Sequence, residues 1–522
     1  MRKKLVSLLL ALCLLLLCGC SSAPGDRSIP DETEADPLPT LKEDRADSFG
    51  LSYQEDAGLN PYDCTRLVNR PVISLLYQGL FTVTSQYKAE PVLCRTYRCS
   101  PDLKTWVFTL MNARFSDGTE LTASDVVASL REARGSDVYG NRLRYVDSIS
   151  ATDDKEITIT MEIGYGNLPV LLDIPIVKAS QVDDDTPLGT GPYALAGSED
   201  SPSLKRLSNW WSDYPPAVDF DTIPLAKTEN PSDIRDQFEF GLADLVCADP
   251  SSASFVEYRC DYELWDCATG IMLYLGCNTA GRSTFANGSL RAALTHGIDR
   301  SALKEVYRGF AQVATLPASP EADCYDSILA AQYGYDPSLY ADTLRDTGLM
   351  GVTTYLLVCS DNPVRVTAAQ VIADQLNELG MNVTLNALPR EKYLKALEVG
   401  NFDFYLGEVR LSPNFDLSCF FDTNGNLTYG GMADPAISRL CLAALENDGN
   451  YYDLFEAIMD DGQLTPLLFR TYAVYATRGT VTSLLPGVDN AFHTANSRQL
   501  STAREDWPSD PTPEETLEED NE

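Results

Sequence analysis

The sequence predicts an α/β fold, and three observations carry that expectation. Residues 104–130, KTWVFTLMNARFSDGTELTASDVVASL, place a strand, a turn and a capped helix in direct succession. Residues 352–385 read as strand, helix and strand, the arrangement of a parallel pair joined by a crossover helix. The composition, 44% hydrophobic and 22% charged over 522 residues, suits a globular chain with room for two or more domains.

Taken in order, the chain opens on Arg2, Lys3 and Lys4 and an uncharged run from Leu5 to Cys18. A helix needs about 20 residues to cross a bilayer about 30 Å thick, so this run is too short and reads as a secretory signal. Its exit, Leu17-Cys18-Gly19-Cys20, resembles the lipobox of bacterial lipoproteins. The resemblance implies removal of residues 1–19 and acylation of Cys20, which would anchor the chain outside the cytoplasm on the cell membrane. An ordinary secretory signal that happens to hold cysteines is the alternative. Residues 20–47, rich in Pro, Ser, Asp and Glu, are expected to form a flexible tether.

The formal net charge is −36, and loss of residues 1–19 removes three basic and no acidic groups, leaving −39. Such a surface repels nucleic acid and anionic headgroups, so neither is expected as a partner. Of 14 cysteines, two leave with the signal and Cys20 is acylated, which leaves eleven. Cys94 with Cys99, and Cys260 with Cys267, are candidate disulfide pairs, although spacing cannot settle connectivity. There is no C-x-x-C, and His296 and His493 are the only histidines, so no structural zinc and no cofactor are expected.

Val72 to Leu80 reads as a helix face ending near Gly79. In 104–130, Trp106, Phe108 and Leu110 alternate as in a half-buried strand, Asp117-Gly118 turns, and Thr122 with Asp125 approximates a capping box. Glu156–Met161 reads as a strand. Leu188–Tyr193 (LGTGPY) is a glycine-punctuated turn into a strand, without the lysine and further glycines of a phosphate loop. Asn209-Trp210-Trp211 is an aromatic turn, and Phe238–Ala248 passes from a helix end to a buried strand. In the second region, Val352–Cys359 is a strand and Val364–Leu379 a helix stopped by Gly380, before a strand from Met381. Lys392–Leu397 and Phe402–Leu406 repeat the helix–strand succession. The acidic, proline-bearing tail 507–522 is expected to be disordered.

Several stretches, in order, resemble the extracellular solute-binding family 5, which includes oligopeptide-, dipeptide- and nickel-binding proteins of ABC importers. They are LNPYD (59–63), LLYQGLF (75–81), residues 106–130, GTGPYAL (189–195), YLGCNT (274–279), LRAALTHGIDRSAL (290–303), AAQVIADQLNELGMNVTL (368–385) and NFDFYLGE (401–408). The resemblance implies a periplasmic-binding-protein-like fold, with two α/β lobes around a ligand cleft and an accessory subdomain in lobe I. It places lobe I at 48–272, lobe II at 273–484 and a return to lobe I at 485–506. It further implies a monomer that holds a small, peptide-like or similarly polar solute and delivers it to permease subunits.

By the same resemblance, the cleft-lining segments hold Arg66 and Asn69, Tyr274 and Asn278, Tyr405, Gly407, Glu408 and Arg410, and Phe492. Core packing for Tyr274 and Phe492, a turn cap for Asn278 and an ion pair for Arg410, with Glu408 as a partner, are the structural alternatives. Peptide-binding members commonly carry a tryptophan after the glycine and then an aspartate that pairs with the peptide amine. Here Glu408 and Val409-Arg410-Leu411 stand at those places. An arginine there would repel an ammonium and favour a carboxylate or phosphate, whereas Glu408 could bind a cation or neutralise Arg410.

An enzyme is not expected, because the sequence has no G-x-S-x-G elbow and no H-E-x-x-H. Nor do two histidines leave much material for a histidine-assisted nucleophile or for nickel held directly by imidazole. A ligand-sensing lipoprotein that signals to a partner is the alternative function, since a fold does not fix its use.

Overall fold

The computed structural model describes residues 48–446, 451–481, 484–493 and 505–507. The signal, Cys20 and the tether lie outside the described residues, as does the tail beyond Trp507. No described helix is long and apolar enough to cross a membrane.

The 104–130 stretch folds as its pattern dictates. Strand Thr105–Leu110 buries Trp106, Phe108 and Leu110, Gly118 takes φ +83° at the turn, and helix Ala123–Gly135 begins on a capping box. The Thr122 amide donates to the Asp125 carboxylate at 2.9 Å. This strand belongs to a four-stranded antiparallel sheet with Cys94–Cys99, Glu156–Met161 and Val146–Asp153, separate from the large sheet. The helix expected to end near Gly79 stops earlier. It spans Arg70–Leu76, and Gln78–Gly79 become a short strand against Pro175–Ile176, because pairing there demands extended backbone.

Among the described residues, eleven strands make one large mixed sheet. Its amino-terminal half contains Tyr193–Ser198, Ser201–Arg206, Thr222–Lys227, Leu51–Tyr53 and Leu245–Ala248, hydrogen-bonded in that order. Its carboxy-terminal half contains Phe404–Arg410, Thr353–Cys359 and Asn382–Leu388. The last two strands run parallel from Thr353 opposite Asn382, as the strand–helix–strand pattern requires, and helix Pro363–Glu378 buries Ala368, Ile372 and Leu376.

Two long antiparallel strands, Tyr262–Cys277 and Leu464–Thr477, join the halves. Leu245–Ala248 pairs with the far end of the second (Ala473–Ala476), and Phe404–Arg410 pairs with Ile271–Cys277 of the first. Between these zones the ladder slips from Ala268 to Ile271, and Gly270 adopts φ +67°. Such a bulge bends a strand and locally weakens pairing, so the two halves meet at a pliant point. The lobe boundary expected at 272/273 falls inside this continuous strand, next to the bulge.

Disulfides between the expected partners are ruled out by the strands that carry them. Cys94 and Cys99 terminate one extended strand, which sets them about 16 Å apart at about 3.3 Å per residue. Cys267 lies well inside a strand that opens at Tyr262, just after Cys260. A disulfide needs Cα atoms within about 7 Å.

Candidate ligand cavity at the strand crossing

The Phe404–Arg410 strand presents its side chains alternately to two faces, and the two faces do different work. Tyr405 and Gly407 face one way. Opposite Gly407 sits Tyr274, and opposite Tyr405 sits Gly276, in an antiparallel register. Each tyrosine ring therefore lies across the other strand's glycine. A Cβ on Gly407 would stand 2.4 Å from Tyr274 Cζ, and one on Gly276 would stand 2.3 Å from Tyr405 Cε1. The hydroxyls meet at 3.4 Å, and Tyr274 packs edge-on to Phe420. The sequence carries a sign of this arrangement: Tyr-Leu-Gly occurs at both 274–276 and 405–407.

Glu408 and Arg410 share the opposite face. Glu408 is wedged between Arg365 at 3.0 Å and Arg470 at 2.9 Å, and Arg470, its side chain 4% exposed, also pairs with Asp249. Asp249 follows a strand of the amino-terminal half, so this buried network spans the crossing. Burial works against the Asp249 charge, but Arg470 outweighs it and holds the carboxyl below its usual value.

Arg410 points elsewhere. It donates to the Thr269 carbonyl at 2.7 Å, to the Tyr472 hydroxyl at 2.9 Å, and to Asp489. Asp489 also takes Arg70 at 2.7 Å, and its backbone is in the left-handed region at φ +57°. The expected alternative of an Arg410–Glu408 pair is thus corrected: each has its own opposite charge, because Asp489 stands beside Arg410 while two other arginines flank Glu408.

Arg410, Tyr472, Asp489 and Arg70 border a cavity of about 550 Å³. Its wall carries Arg70, Arg142, Arg410, Asp173 and Asp489, with Tyr139 and Tyr472 beneath two of the guanidinium groups. Arg142 pairs with Asp173. Burial disfavours the Asp489 charge, yet Arg410 and Arg70 hold its carboxyl below the usual range. Burial raises the Asp173 carboxyl, and Arg142 pulls it only part of the way back. His493 also borders the cavity, with Nε2 3.4 Å from Glu90. A second cavity of about 570 Å³ is lined by Tyr87, Tyr165, Asn414 and Tyr451 among others. Its polar groups largely satisfy one another, through Tyr165 with Asn414, Tyr451 with the Asn414 carbonyl, and Lys88 with Asp323 at 3.0 Å.

Of the residues expected at the cleft, Arg410 and Phe492 line the charged cavity. The structure gives the other seven different surroundings. Asn69 is buried and bonded to the Gln54 and Gly58 backbone, while Arg66 is exposed at the start of the same turn. Asn278 donates to the Gly400 and Phe402 carbonyls and accepts from Ala280, so it fastens a turn. Tyr274, Tyr405 and Gly407 interlock as above, and Glu408 belongs to the Arg365–Arg470 network. Arg70, Arg142, Asp173, Tyr472 and Asp489 were not singled out from the sequence. Only folding brings them together. No group of three or more metal-ligating side chains occurs among the described residues.

Residues 88–426 match the profile of bacterial extracellular solute-binding proteins, family 5 (middle region). The nickel-binding protein NikA of Staphylococcus aureus is 27% identical over 253 residues, 46% of this chain and 50% of its own length. The probable peptide ABC transporter periplasmic-binding protein y4tO of Sinorhizobium fredii is 23% identical over 363 residues, 62% of this chain and 67% of its own. The alignment thus spans half to two thirds of these relatives. Among solved structures, the ABC transporter substrate-binding protein CtaP of Listeria monocytogenes superposes with TM-score 0.69 at 17% identity, covering 85% of this chain and 97% of CtaP. AgaA of A. tumefaciens R10, in complex with agropinic acid, gives TM-score 0.60 at 21% identity, over 84% and 95% of the two chains. With that fold and a family match over most of the described body, this chain belongs to the bacterial extracellular solute-binding proteins of family 5.

Proposed function

We propose that the chain is a lipid-anchored substrate-binding protein of an ABC importer. It captures a peptide-like or similarly polar solute in the charged cavity at the strand crossing and delivers it to a membrane permease. One observation carries this reading: the wall is assembled from both sides of the bulge at Gly270. Arg410 comes from the carboxy-terminal half of the sheet, and Asp489 pairs both with it and with Arg70, which lies far upstream in the chain. Hinge closure of the halves about the bulge would then change the wall around an occupant, which couples occupancy to shape. Relatives on this fold carry names that mention nickel, peptides and agropinic acid, so the scaffold suits different solutes and the wall selects among them.

Acylation at Cys20 would keep the protein near its permease. Growth with an alkyne-labelled fatty acid should label the full chain, and Cys20→Ser should abolish the label. For capture itself, protein purified natively is denatured and the released small molecules are identified by mass spectrometry. The expected result is one solute class, whose return to the emptied protein raises the unfolding temperature and lowers the radius of gyration in solution scattering. A protein that releases nothing, and neither stabilises nor compacts with a broad solute pool, would refute capture.

A further inference from the structure

Within the reading of a solute captured at the crossing, we infer that the solute bears a carboxylate and that the guanidinium groups of Arg70 and Arg142 clasp it. Charge on the wall points this way first. Two half-buried arginines, Arg70 and Arg142, and the more exposed Arg410 face two half-buried carboxylates, Asp173 and Asp489. Asp489 is shared between Arg70 and Arg410, so one positive charge lacks a counter-ion inside the cluster. Asp137, also on the wall, is exposed at its rim, where water screens it. A desolvated guanidinium without a partner is costly, and an anionic ligand supplies the missing charge.

The donor geometry points the same way. Arg410 is committed: Nη1 serves Thr269 and Asp489, and Nη2 serves Tyr472. Arg70 and Arg142 each make their ion pair through Nη1. Among the described residues, Nε and Nη2 of both make no hydrogen bond or ion pair, and that edge of a guanidinium matches the two oxygens of a carboxylate. Each group lies over a tyrosine ring, Arg70 5.6 Å from the Tyr472 centroid and Arg142 5.1 Å from that of Tyr139, which fixes its plane before ligand arrives. Asp489 is already held by two arginines and Asp173 by Arg142, which leaves an ammonium only the water-screened Asp137 at the rim. That arrangement is the reverse of the amine anchor that the family resemblance implies, and it agrees with the arginine standing at position 410.

The test uses the acylated full chain in detergent, or its secreted form, after removal of bound solute. A panel of small carboxylates is screened by thermal shift and calorimetry: dipeptides, dicarboxylates and N-carboxyalkyl amino acids, each beside its primary amide. Inorganic phosphate and simple amines complete the set. The expected result is binding by at least one carboxylate and a loss of about tenfold or more in its amide. Arg142→Lys, which keeps the charge and removes the fork, should weaken that ligand by a similar factor. The paired variant Arg142→Gln with Asp173→Asn guards against misfolding, because it leaves no unpaired carboxylate, and it should also lose the ligand. Equal binding of acid and amide, preference for an amine or for phosphate, or affinity unchanged in both variants would overturn the inference while leaving solute capture intact. Failure of every compound, together with no solute released from native protein, would remove the capture reading itself.

Discussion

Gly407→Ala probes the interlock that aims the Glu408 and Arg410 face. The added Cβ would stand 2.4 Å from Tyr274 Cζ and 2.6 Å from its hydroxyl oxygen. Carbon atoms prefer about 3.5–4.0 Å, so ring and strand must separate by more than about 1 Å. Neither can yield easily. Tyr274 is 2% exposed, with Phe420 5.0 Å and Tyr405 5.8 Å from its ring centre, and both strands are locked in the sheet. Overpacking typically costs about 1–3 kcal/mol, and with two rigid walls the upper end, about 3 kcal/mol, is expected. Denaturant unfolding of the mature chain measures it. Tyr274→Ala alone should cost about 3–5 kcal/mol through the cavity it leaves. In the double variant the clash is gone, so the two effects should fall short of their sum by at least about 1 kcal/mol. A Gly407→Ala protein within about 0.5 kcal/mol of wild type, or strict additivity, would refute the interlock.

Other substitutions test the crossing. Arg470→Met leaves the partly buried Asp249 without its arginine and Glu408 with Arg365 alone, and should cost about 3 kcal/mol, partly recovered on adding Asp249→Asn; unfolding curves decide this. Asp489 has a depressed folded-state value, so its stabilisation is present above the unfolded value of about 3.9 and fades as pH falls through the folded one. Asp489→Asn should therefore destabilise at pH 7, with the gap to wild type closing below about pH 4 in pH-resolved melts. Gly270→Ala meets the Leu411 carbonyl at 2.9 Å as well as an unfavourable φ, whereas Gly479→Ala, at φ +80°, meets nothing within 4 Å. Both should lose about 1–2 kcal/mol from backbone strain, and Gly270→Ala more; equal melting temperatures would count against a tight bulge.

Elements were legible wherever local chemistry dominates. The Thr122–Asp125 box, the Asp117-Gly118 turn and the helix over Pro363–Glu378 follow from side chains a few residues apart. The helix from Arg70 was read too long because its end is set by a strand pairing with residues about 100 positions away. The charged wall was harder still. Arg70 follows immediately on the segment singled out at Arg66 and Asn69, yet nothing local distinguishes it. Its meaning depends on Asp489, more than 400 residues later.

By itself the sequence determined the α/β class, the family and the order of the elements, because periodicity, capping and turn chemistry act over short spans and survive as ordered patterns. It also marked position 410 as unusual. Tertiary structure alone decided which charges meet. Two long antiparallel strands join the halves of the sheet, a bulge bends one of them, and arginines and carboxylates from distant segments converge on one cavity. Electrostatics and packing act through space, so partners that must neutralise or exclude one another leave no fixed spacing in the chain.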